Sequence, residues 1–146
     1  MLTEARVNYL RIVTAALAAM VVFFIYGFLV HGMLIAKDYR PYPEGVYRSG
    51  EAAQRHMPFG LAGIFLAILI FAIIYAQACA GKYNIGGGAR LGLLFGVFMA
   101  GAFVAVNYST IQISRKLAVE LAVSELIEWT LVGTVVGLIY KPANPG

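Results

Sequence analysis

The chain has 146 residues, the length of one ordinary domain; 61% are hydrophobic, only 12% are charged, and the mean hydropathy is +0.80. Soluble domains carry about 25% charged residues, so this composition excludes a water-soluble globule and implies an integral membrane protein whose first partner is the lipid bilayer. The formal charge of +4 comes without a Lys/Arg cluster, which argues against nucleic acid and suits loops at anionic headgroups.

In chain order, the first apolar stretch covers residues 12–36 and the second residues 58–80. The third covers residues 91–110 and the fourth residues 117–140. Each reaches the about 20 helical residues that cross a hydrocarbon core. Unpaired backbone groups are not tolerated in lipid, so all four are expected to be helices. The Ala-rich AALAAM of the first stretch runs on into further apolar sequence, so it reads as a retained anchor and not a cleaved signal peptide. A polar, Tyr-rich loop, residues 37–57, follows it. Pro58 suits the first turn of the second helix, where a missing N–H is harmless. Gly86, Gly87 and Gly88 read as an interruption before the third helix, and a short hairpin, residues 111–116, precedes the fourth. Pro142 and Pro145 close the last span. Short connections make neighbours antiparallel. The expected fold is all-α: a single transmembrane domain built as an antiparallel four-helix bundle.

Orientation is weakly marked, because five Lys/Arg residues fall on the terminal side and six on the other. The mixture of Asp38, Glu44 and Glu51 with the basic residues of the first loop favours cytoplasmic termini. The lone cysteine, Cys79, excludes an internal disulfide and reads as a small packing residue.

Gly88, Gly92 and Gly96 stand four apart on the third helix, and Gly133 and Gly137 repeat that spacing on the fourth. Small residues on one face let helix backbones approach closely. Packing of helices three and four is the expected use, with a seam between copies as the alternative. The IGGGARLG stretch lacks the Gly-Lys-Ser/Thr and the preceding strand of a phosphate loop.

The fourth helix carries Glu120, Glu125 and Glu128 in ELAVSELIEWTLVG. At about 100° per residue, Glu125 lies about 140° from Glu120, with Glu128 between them and Ser124 nearby. A charge at the bilayer centre costs roughly 2.5–3.5 kcal/mol on insertion scales, so that side is expected to face inward. The antiparallel layout puts His31 and Asn107 at the same depth, giving a predicted polar cluster of His31, Asn107, Glu120, Ser124, Glu125 and Glu128, with Tyr26 within reach of the deeper carboxylate. Three readings stand: hydrogen bonding that holds helices together, proton or ion handling, and a metal site. The last lacks the paired Glu-x-x-His of di-iron bundles, and no metal or cofactor is expected. His56 reads as interfacial. Trp129, near midspan, is expected to pack against lipid or a partner helix. Tyr39, Arg40, Tyr42, Tyr47 and Arg48 suit a headgroup-level cap or a docking surface for another subunit.

YGFLVHGMLIAKDY, the Tyr47-Arg48 pair, GARLGLLFG, NYSTIQIS and IEWTLVGTVVGLIYKP together resemble uncharacterised bacterial four-span membrane proteins of the domain-of-unknown-function kind. That resemblance implies the topology and a seat in the bacterial inner membrane, and no activity. Minimal loops, glycine seams and no recognisable catalytic set point to a non-enzymatic subunit that associates with itself or with a larger membrane complex. The alternative is a small proton-coupled transporter or channel using Glu125 and Glu128.

Overall fold

The computed structural model describes residues 7–42, 48, 50–78 and 83–141. Four helices in it are long and apolar enough to cross a membrane: α1 (Tyr9–Leu34), α2 (Gly50–Ala78), α3 (Ile85–Thr110) and α4 (Arg115–Ile139). The protein is an all-α integral membrane bundle. One further short helix, Ala36–Tyr39, follows α1. Cys79, Tyr47, Pro142 and Pro145 lie outside the described residues.

Polar side chains start three of the long helices. The Asn8 side chain accepts the Arg11 amide at 3.1 Å, and Ser114 accepts that of Leu117 at 3.1 Å. The Asn84 side chain accepts the Gly87 amide at 2.6 Å. Each satisfies one amide that the first turn leaves without a helical partner. The Asn84 cap draws the three consecutive glycines into the opening of α3, so they belong to the helix and do not interrupt the chain before it. α2 likewise begins earlier than the apolar run suggests. It starts at Gly50, whose φ of +55° is the left-handed conformation that glycine tolerates. Pro58 therefore sits inside the helix and not in its first turn. The polar residues before Pro58 are helical as well, so the predicted loop is shorter than residues 37–57. α1 and α3 each loosen into a π-helical stretch, Phe28–Leu34 and Ala100–Ala105. Such stretches are uncommon and gather at functional sites.

The tightest interface joins α3 to α4, and glycines make it. A Cβ at Gly88 would strike the Gly133 carbonyl oxygen, and one at Gly92 that of Trp129. A Cβ at Gly96 would lie 2.7 Å from the Leu126 Cα, and one at Gly137 2.7 Å from the Asn84 carbonyl oxygen. The two backbones touch where any other residue would hold them apart.

The bundle has two unlike ends. At the end where α1 begins and α4 finishes, Ala15, Ala16 and Ala19 of α1, Phe71 and Tyr75 of α2, and Val132 and Val136 of α4 are wholly buried. Trp129, 3% exposed, is enclosed there by Phe23, Phe71 and Phe95. Tyr75 donates its hydroxyl to the Asn84 carbonyl at 2.9 Å and accepts the Asn84 amide at 3.0 Å, tying the end of α2 to the start of α3. At the opposite end, which carries the first and third connections, α2 contributes nothing to the core. Its buried residues begin only at Ile68, and a Cβ at Gly60 or Gly63 would meet open space. The small apolar cluster at this end, Ile35, Val104, Ile113, Leu117 and Ala118, comes from the other helices and their connections.

Candidate functional site

The polar residues gather at the end that α2 leaves. Along α4, the stripe that meets Phe71 of α2 through Trp129 continues one turn back to Glu125 and two turns back to Leu121. On α3 the matching stripe passes from Phe95, 4.9 Å from Phe71 between ring centroids, up to Phe103 and Asn107. On α1 it runs from Phe23 to His31. These extensions, with Tyr39 of the short helix, enclose a cavity of ≈ 250 Å³ lined by His31, Tyr39, Phe103, Asn107, Leu121 and Glu125 among others. Both π-helical stretches border it through His31 and through Phe103 with Val104.

His31 is fixed at both ring nitrogens. Nδ1 is 2.9 Å from the Tyr39 hydroxyl, and Nε2 is 3.3 Å from the Ser124 Oγ. A hydrogen-bonded string thus crosses from the short helix through α1 to α4. The Trp129 indole N–H donates to Glu125 Oε2 at 3.1 Å, an i,i+4 bond that holds the carboxylate against its own helix. Among the described residues, no protein group is hydrogen-bonded to Glu125 Oε1 or to the side chain of Asn107.

The other two glutamates point elsewhere. Glu120, Ser124 and Glu128 form the stripe of α4 that meets α1. Glu120 Oε1 lies 3.3 Å from Lys116 Nζ, which also contacts Asp38 Oδ1 at 2.6 Å. This exposed ammonium clamps the short helix to α4, while Glu120 Oε2 is buried without a hydrogen bond among the described residues. Glu128 is 4% exposed, its Oε1 has no hydrogen bond among the described residues, and a Cβ on Gly27 of α1 would lie 3.5 Å from that oxygen. A second groove of ≈ 550 Å³ opens on this side, with Tyr26, Lys116, Glu120 and Ser124 in its wall. Ser124 joins the two spaces through His31.

The predicted cluster is therefore divided. His31, Asn107 and Glu125 share the cavity; Ser124 touches it through His31; Glu120 and Glu128 lie along the α1 interface. The split has a geometric cause, because a residue 140° around α4 faces the gap between different neighbours. Tyr26 does not bond a carboxylate: its hydroxyl donates to the Ser124 carbonyl at 3.4 Å. Ser109 and Thr110 bond back to the Val106 carbonyl at 2.7 and 3.0 Å and stay exposed. Of the first-loop residues, Tyr39 serves His31 and the Tyr42 hydroxyl accepts the Ser114 amide at 2.7 Å. These tyrosines cap their own bundle. Arg40 and Arg48 are exposed. His56 is also exposed, within α2, and bonds the Ala52 carbonyl at 2.9 Å.

The sequence reading missed three features: the Trp129 bond to Glu125, the capping residues Ser114 here and Asn84 at the far end, and the departure of α2. The first two had a local signal, an i,i+4 pair and an Asn or Ser ahead of an apolar run. Among the described residues, no three His, Cys, Asp or Glu side chains are grouped so as to hold a metal ion. No family model, curated protein or solved structure matches the chain.

Proposed function

We propose that the chain is a small, non-catalytic membrane subunit that works by association, with copies of itself or within a larger membrane complex. One observation carries this reading: the groove between α1, α3 and α4 is filled by α2 at one end and left without that wall at the other, where its lining turns polar. Glu125 and Asn107 stand in the unwalled part. Polar side chains facing acyl chains are unfavourable, and a neighbouring helix standing where α2 has departed reduces that exposure. From Pro58 onward the part of α2 that departs is apolar and carries Gly60 and Gly63, small residues one turn apart that admit a neighbouring helix at short distance. The opposite end is packed shut by fully buried side chains, which favours a shared role over that of a lone pore.

Extracted from native membranes in a mild nonionic detergent, the protein is expected to run as a particle with at least twice the 15.8 kDa protein mass of one chain. Light scattering that subtracts the detergent measures this. A homogeneous particle of one chain, with no other protein copurifying, would overturn the proposal.

A further inference from the structure

The cavity at the open end has a chemical character that does not depend on how many chains assemble. Its inner wall offers acceptors: the Glu125 carboxylate, with Oε2 already held by Trp129 and Oε1 open, and the Asn107 side-chain amide. His31 adds no free donor, since both its ring nitrogens are engaged by Tyr39 and Ser124. Among the described residues, no Lys or Arg lines the space. The remaining wall is apolar or aromatic and includes Phe103, Leu121 and Tyr39. Phe103 is 55% exposed, on the part of α3 that crosses the bilayer, so the approach is from acyl chains.

An open carboxylate oxygen among apolar walls calls for a hydrogen-bond donor, best a charged one. Aromatic rings at the same site favour a cation over a neutral donor. A volume of ≈ 250 Å³ falls below the about 300–1,000 Å³ of pockets that enclose a drug-sized molecule. The space therefore fits a head, with an apolar remainder continuing into lipid beside α2. We propose that this cavity binds the ammonium head of an amphiphilic amine, with Glu125 and Asn107 receiving its N–H groups.

Trp129 supplies the readout, because it is the one tryptophan in the chain and its indole is bonded to Glu125. The intact protein in nanodiscs of zwitterionic phosphatidylcholine is titrated with decylammonium, with decanol as the neutral probe of equal chain length. Decylammonium is expected to change Trp129 emission at a concentration about tenfold or more below decanol. Glu125→Gln keeps an acceptor for the indole and removes the charge, so the difference between the probes should vanish. Asn107→Leu leaves Glu125 in place and should weaken decylammonium about threefold; it also serves if the glutamine variant fails to fold. Equal responses to the two probes would overturn the proposal, as would an ammonium preference surviving in a folded Glu125→Gln protein. A monomeric particle would leave this result standing, so the two proposals fail separately.

Discussion

A methyl group added at Gly92 would fall on the carbonyl oxygen of Trp129, which is backbone and cannot swing aside. The same methyl at Gly63 would meet nothing within 4 Å. Gly92→Ala is therefore expected to lower the stability of the detergent-solubilised protein by about 1–3 kcal/mol, the usual range for overpacking. Gly63→Ala should be neutral or slightly stabilising, since it only replaces glycine inside a helix. Thermal or denaturant unfolding followed by circular dichroism compares the two, and equal losses would show that the α3–α4 contact is not what the glycines serve. The two glycine faces were legible from spacing alone, because residues four apart share a face whatever the helix later meets. The fate of the glutamates was not. Their angular separation could be counted, but which neighbour fills each angle depends on where three other helices stand.

At the scale of elements, the borders moved wherever one polar side chain outweighed the apolar pattern. Asn84 caps α3 through Gly87, and its backbone is held by Tyr75. It thus starts a helix on residues whose glycine content suggested a break. Asn84→Ala removes the side-chain acceptor and keeps the Tyr75 bonds; the expected loss is about 1 kcal/mol. The check is a chemical melt of the variant beside Asn84→Ser, which can still cap and should stay near the parent. A loss shared by both would place the effect in something other than the cap. Pro58 offers the complementary case. It reads as a start signal, yet α2 extends before it to Gly50, at the cost of the hydrogen bond that its missing N–H would have made to Gln54.

The molecule as a whole is asymmetric across its length, closed at the terminal end and indented at the other. Asn107→Cys and Ala19→Cys probe that difference in a Cys79→Ser background. A small maleimide is expected to label position 107 about tenfold or more faster than position 19, as thiol reactivity requires access. Mass spectrometry of intact protein over time measures both rates. Comparable rates would mean that the alanine-rich core opens as readily as the polar cavity does.

Composition and periodicity were enough for the membrane, the four crossings and the glycine faces, because those follow from lipid's intolerance of unpaired backbone and from the fixed turn of a helix. They also marked the carboxylates as residues that must avoid acyl chains. Tertiary structure alone decided that Glu125 would share a cavity with His31 and Asn107 while Glu120 and Glu128 turned to α1. It alone decided that α2 would pack along only half its length. The reason is that lipid and a neighbouring helix are equally apolar, so no pattern in an apolar run tells which of its faces will find a neighbour.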